Sequence, residues 1–366
     1  MISRRTLLAL PLAAACTRPQ EGLRGYAFIA NQEGGAIAAV DLGALAVARH
    51  IPLDGAPTEV TAAVQRPSVY ALTPENGTVH EIQIDNLRLS RKLAVASQAI
   101  TMALAVDERT LYVLARDPRL LVAVALDSFQ IDWKLPLPDE PVGMALSPDG
   151  KTAAVSSDKA VHLVDLGTRR LSAPLGQGDY GPVQFLTNSK TLVAGNRGDR
   201  LLSAYSVAAQ RLITHLPLSV RPDRFCFNRD GGQLFVTGDG MDAVVVVWEL
   251  FSTPEVGETV LAGHAPGAMD VSEDLLFVAS PTSGDVSILN ITARKVIAVV
   301  PVGSDPGFIR VTPDGQYALV LNRKSGDMAV LSVAAIEQKK TRYSPVGLRA
   351  VIPVGSRPVS AVVRAV

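Results

Sequence analysis

Short apolar runs rich in Val, Ala, Leu and Tyr recur along the chain, separated by polar stretches that carry Gly, Pro, Asn and Asp. They start at Tyr26, Tyr70, Tyr112, Ala153, Leu192, Leu234, Leu276 and Tyr317, so successive starts differ by 44, 42, 41, 39, 42, 42 and 41 residues. The runs are short and β-branched, and no 3.6-residue period links them, which predicts strands rather than helices. The seventh unit shows the order within a repeat: strands from Leu276 to Ser280, Asp285 to Asn290 and Lys295 to Pro301, a loop through Gly303 and Pro306, then Gly307 to Val311. Asp-Gly pairs close the hairpins, as at Ser147-Pro-Asp-Gly150, Asn228-Arg-Asp-Gly231 and Thr312-Pro-Asp-Gly315, because glycine supplies the positive φ that tight turns need.

Four short strands repeating every ~40–45 residues form the pattern of a propeller blade. The fold expected is therefore all-β, an eight-bladed β-propeller of four-stranded antiparallel blades over residues 25–366. Seven blades is the alternative, with one of units two to four degenerate, because their turn motifs are the weakest. The repeats open on a second strand at Tyr26, and the last segment, Pro358 to Arg364, matches an innermost strand. Those two ends are expected to pair and close the ring.

Several fragments together resemble the YVTN repeat of bacterial β-propellers: Tyr317-Ala-Leu-Val-Leu-Asn322, Ile37-Ala-Ala-Val-Asp41, Val161-His-Leu-Val-Asp165, the Pro-Val-Gly-x-x-Pro of 301–306 and the Thr312-Pro-Asp-Gly315 turn. The resemblance covers residues 25–366 and implies the propeller fold. It leaves function open, since such propellers host binding, electron-transfer and hydrolytic proteins. Gly263-His264 and Val247-Trp248, fragments of a different propeller repeat, occur in one unit only and are set aside.

Composition narrows the classes. With 35 Lys+Arg against 35 Asp+Glu in 366 residues and 48% hydrophobic residues, the chain is neither disordered nor a polybasic nucleic-acid binder. The two cysteines, Cys16 and Cys226, can form neither a disulfide framework nor a cysteine metal site. Cys226 lies between Phe225 and Phe227 and reads as a buried small hydrophobe. Ser3-Arg4-Arg5 precedes an uncharged run from Thr6 to Ala15, too short for a transmembrane helix and suited to an export signal. Ala13-Ala-Ala-Cys16 resembles a lipobox, which implies lipidation of Cys16, residues 17–24 as a tether and a monomer held on a cell-envelope membrane by lipid alone, in the periplasm. The arginine pair also resembles a twin-arginine signal, and the general and twin-arginine routes both stay open.

The loops leading into the innermost strands converge on one face of a propeller. Aligning these loops on proline places Ala56, Gln98, Glu140, Gly181, Arg221, Ala265, Asp305 and Arg357 at one position. The candidate binding set is Glu140, Asp179, Tyr180, Arg221, Arg224, His264, Asp305 and Arg357. Guanidiniums at Arg221 and Arg357 suit bidentate capture of a small anion or of a partner protein's carboxylate, and charges that merely pair with one another are the alternative. The polar turns at 196–199, 238–242 and 322–325 read as turn chemistry, and Asp239 and Asp242 lack the ligand spacing of a calcium loop. No metal-ligand spacing links His50, His80, His162, His215 and His264, and no hydrolase or nucleotide motif is present.

Two functional classes follow. One is a non-enzymatic envelope lipoprotein that binds a ligand or partner at this face, with no catalytic residue, metal or cofactor expected. In the other, resemblance to the haem-binding propellers of nitrite reductases and haem maturation proteins implies haem on His264, with Arg221 and Arg357 on its propionates. A lactonase-like hydrolase using Glu140 or Asp305 as base belongs to the same second class.

Overall fold

The second strand of a unit is buried along its whole length, as in Ser68–Thr73 and Leu275–Ser280, while the fourth alternates between exposed and half-buried positions, as in Gln130–Pro136. A strand buried on both faces needs a layer on either side, whereas an alternating strand keeps one face on water. Sheets stacked face to face around a circle meet both demands. The computed structural model, which describes residues 25–337 and 347–365, has this architecture: eight four-stranded antiparallel sheets.

Blade 1 combines Gly25–Asn31, Ala36–Asp41 and Ala46–Pro52 with Pro358–Ala365 from the far end of the chain. The innermost strands of blades 2 to 8 are Glu59–Ala62, Gln98–Leu104, Pro141–Leu146, Tyr180–Phe185, Arg224–Phe227, Met269–Val271 and Pro306–Val311. Each touches the innermost strands on either side, so the ring is closed. Closure rests on antiparallel pairing from Gly25 opposite Ala365 to Asn31 opposite Pro358. All eight blades are present, so the seven-bladed alternative fails. The weakness read in units two to four survives only in blade 4, whose fourth strand is just Arg170–Leu171. The signal segment, Cys16 and the tether lie outside the described residues.

The core is eight separate apolar clusters, one in each wedge between neighbouring blades. Alanine and valine occur in every cluster, in keeping with the low aromatic content of 5%. The asparagines ending several second strands have a structural role. Asn31 Nδ2 donates to the Val354 carbonyl at 2.7 Å and Asn322 Nδ2 to Val302 at 3.0 Å, fixing the loops that feed the innermost strands of their own blades. Among the described residues no helix is long and apolar enough to cross a membrane.

Candidate functional site

The loops before the innermost strands and the turns between second and third strands meet on one face, here called the upper face. Strand pairing corrects the proline-based alignment in blade 5. Tyr180 lies opposite Asn196 just as Pro306 lies opposite Asn322 and Pro358 opposite Asn31, so the residue equivalent to Asp305 and Arg357 is Asp179, not Gly181. Blade 5 carries its proline at 182, two residues inside the strand, and the hydrogen-bond ladder rather than proline sets the register.

With that register a recurring device emerges. The backbone N–H of Arg197 donates to the Asp179 carbonyl at 2.8 Å, and Arg197 Nη2 reaches the Asp179 carboxylate at 2.7 Å. Arg323 treats Asp305 in the same way, at 2.9 Å through the backbone and 2.5 Å through the side chain. A Cβ on Gly181 would stand 2.8 Å from Arg197 Cδ, so glycine is needed for the arginine to lie across the strand. Sequence reading passed over Arg197 and Arg323 as turn residues, although both follow their acid by 18 positions. Blade 1 reverses the charges: Arg357 Nη1 meets Glu33 at 3.2 Å.

The remaining candidates are distributed around the ring. Glu140 faces Arg116 of blade 3 at 3.3 Å, and Arg221 Nε bonds both Asp223 oxygens at 2.9 and 3.0 Å. Arg221 and Arg357 therefore belong to blades 6 and 1, three sectors apart, and each already has a carboxylate partner. Tyr180 faces the core instead of the channel mouth. It is 1% exposed in the wedge between blades 4 and 5, its hydroxyl 2.7 Å from that of Tyr205. A residue directly after the loop begins the strand, and its side chain falls to the wedge face of the pleat.

His264 Nδ1 lies 2.6 Å from Asp242, whose other carboxylate oxygen accepts the Ala265 N–H at 2.8 Å. That backbone bond and, next, the one to His264 hold the Asp242 carboxyl below its usual range. Between blades 6 and 7 opens a cleft of about 510 Å³ lined by Asp223, Arg224, Asp239, Met241, Asp242 and Pro266, with glycines 238, 240 and 267 in its walls. Of the eight candidate side chains, Arg224 alone has neither an ion pair nor a hydrogen bond among the described residues. Asp239, from a turn read as ordinary, shares the cleft with it.

Other titratable groups are structural. Burial raises the Cys226 thiol well above its ordinary range, which removes it as a nucleophile. His215 Nδ1 bonds Ser203 Oγ at 2.9 Å, and His80 is buried against Asp54 at 2.6 Å. Among the described residues no group of three His, Cys, Asp or Glu side chains could hold a metal ion.

The fold is that of solved β-propellers. The dihydro-heme d1 dehydrogenase NirN in complex with DHE is similar over 96% of this chain and 78% of its own, with a TM-score of 0.77 and 13% identity. Hydrazine synthase of Kuenenia stuttgartiensis covers 76% of this chain and 96% of its own, with a TM-score of 0.61 and 19% identity. The Cps50 (Swd1) β-propeller domain of Myceliophteria thermophila covers 76% and 97%, with a TM-score of 0.62 and 12% identity. At these identities the likeness concerns fold alone. No family model and no curated protein matches the chain.

Proposed function

We propose that this chain is a non-enzymatic binding propeller of the cell envelope, anchored by lipid on Cys16 and of the YVTN-repeat type, which receives a small ligand or a partner's loop in the cleft between blades 6 and 7. One observation carries the reading: while neighbouring charges on the upper face are tied to one another, the side chains of Arg224 and Asp239 have no hydrogen-bond or ion-pair partner among the described residues and line one concavity together. A cleft of this size is in the range of small-ligand sites, roughly 300–1,000 Å³. The opposed charges suit a ligand that carries both an anionic and a cationic group, with Arg224 giving a bidentate contact to the former.

A haem reading ranks second. In its favour, Asp242 holds His264 through Nδ1 and leaves Nε2 for a metal, the arrangement an axial histidine needs. The NirN structure adds a propeller of the same fold seen with DHE. The surroundings do not fit: Asp223, Asp239 and Asp242 outnumber Arg224 around the cleft and repel propionates. The arginines expected to hold those propionates are paired with Asp223 and Glu33. The hydrolase reading fares no better, since Glu140 faces the guanidinium of Arg116 in blade 3 and Asp305 that of Arg323 in blade 8.

The test is an ultraviolet–visible spectrum and native mass spectrum of the full chain purified from its host's membranes. A colourless, mass-shifted species whose extra mass disappears in Arg224→Ala and Asp239→Asn, but persists in Glu140→Gln, supports binding in the cleft. A Soret band lost in His264→Ala reverses the ranking. A lipid mass on Cys16, absent in Cys16→Ser, checks the anchor.

A further inference from the structure

Blades 2 and 4 carry the same histidine. His80 pairs with Ala71 and His162 with Val155 at matching places in their second and third strands, so the two rings occupy equivalent sites in the repeat. Each faces an aspartate from the loop that enters its blade: Asp54 for His80, Asp139 for His162. In blade 2 the constellation is complete. Asp54 accepts from His80 Nε2 at 2.6 Å and from the ammonium of Lys92 at 2.6 Å. Lys92 stands opposite His80 on the seven-residue fourth strand Arg88–Ala94.

Blade 4 has no counterpart of Lys92 on its fourth strand. Its fourth strand ends at Leu171, where the fourth strands of the other blades run six or seven residues, and the chain continues as Ser172-Ala173-Pro174, bringing no cation to the site. The Asp139–His162 distance is 3.5 Å, and the ammonium of Lys159, from the turn between second and third strands, makes only a long ion pair of 3.8 Å with Asp139 and is 69% exposed, where Lys92 sits 2.6 Å from Asp54. Residues 172–178 run along the third strand, with the Ser172, Leu175 and Gly178 N–H groups on the Leu163, Val161 and Lys159 carbonyls, and beside them lies a groove of about 650 Å³ lined by Pro138, Asp139, Lys159, Ala160, His162 and Pro174. Asp139 is only 20% exposed, so its carboxylate is held at the groove floor rather than on open surface.

We infer that this groove is a binding site for a primary ammonium group, which takes on Asp139 the position that Lys92 takes on Asp54. The ligand is an amine with an apolar body that packs between the two prolines, either a free alkylamine or the lysine side chain of a partner polypeptide. The site is separate from the cleft between blades 6 and 7 and does not depend on it. The charge-assisted contact forms in a half-dry groove, where it is stronger than on open surface.

The probes are butylamine, Nα-acetyl-lysine amide and its Nε-acetylated form, titrated into the full chain while the His162 ring resonances are followed. Saturable binding in the millimolar range, at least about tenfold weaker once the ammonium is acetylated, is the expected result. Preference for butylamine assigns the site to free amines, and preference for the lysine amide to polypeptide lysines. Asp139→Asn should weaken binding by about tenfold or more, while Asp54→Asn, at the filled site, should leave it unchanged. Equal binding of the acetylated and free amines, no saturation by any amine, or unaltered binding in Asp139→Asn overturns the inference. The comparison of free with acetylated probe uses the unaltered protein and stands even if a variant fails to fold.

Discussion

At the residue scale, most buried polar groups are accounted for by one neighbour in an adjacent blade or strand. The hydroxyls of Tyr180 and Tyr205, both 1% exposed, satisfy each other at 2.7 Å. Tyr205→Phe strands the Tyr180 hydroxyl and should cost about 1–3 kcal/mol, whereas the double change to phenylalanine removes both groups and should cost less than either single change, as measured by urea unfolding. Asp54 provides a pH signature. Hydrogen bonds from Lys92 first and His80 second lower its carboxyl from 3.8 to about 2. A depressed folded value means its stabilisation is present above the unfolded value and is lost as pH falls from about 4 through about 2. Because Asp54 and Lys92 are 42% and 58% exposed, the loss is about 1 kcal/mol after screening. Asp54→Asn should flatten that acid limb, and an unaltered limb would assign it elsewhere.

At the scale of elements, the innermost strands present an open edge to the central channel, and side chains from the neighbouring blade cover it. Asp270 accepts the Val311 N–H at 2.8 Å, Ser360 Oγ lies 3.4 Å from the Val60 N–H, and Glu59 accepts both the Met102 N–H and the Thr101 hydroxyl. Desolvation raises the Glu59 carboxyl above its usual range. A raised folded value means that stability is full below the unfolded value of 4.5 and declines as pH rises through the folded one. Glu59→Gln keeps an acceptor without the charge, and should make stability at pH 7 equal to or greater than that of the parent while removing this decline. Asp270→Ala leaves the Val311 N–H uncovered and should cost about 1–3 kcal/mol in urea unfolding. The same scale shows where sequence reading slipped. The blade 5 loop was misplaced by two residues because Pro182 is a local marker, while the register is set by the ladder with Thr191–Asn196, where Tyr180 stands opposite Asn196.

At the scale of the whole molecule, each blade is stable only through its two neighbours, because the core is distributed over eight wedges and no blade owns a complete cluster. The strand Pro358–Ala365 completes blade 1 and closes the circle, so a chain ending at Arg357 should lose its cooperative thermal transition, seen by circular dichroism, rather than unfold one blade early. Retention of a single transition near the parent value would place closure elsewhere. Sequence alone determined the period, the strand type and the closing pair, and put eight blades ahead of seven, since these depend on local alternation, turn chemistry and counting. Tertiary structure alone decided which charges are free. Asp179 meets Arg197 because a turn of blade 5 folds over the loop entering that blade, His264 meets Asp242 because a turn of blade 6 reaches the loop entering blade 7, and the grooves at blades 4 and 6 exist because of what neighbouring elements fail to fill. Those are distances between residues far apart in the chain, and a linear pattern carries no record of them.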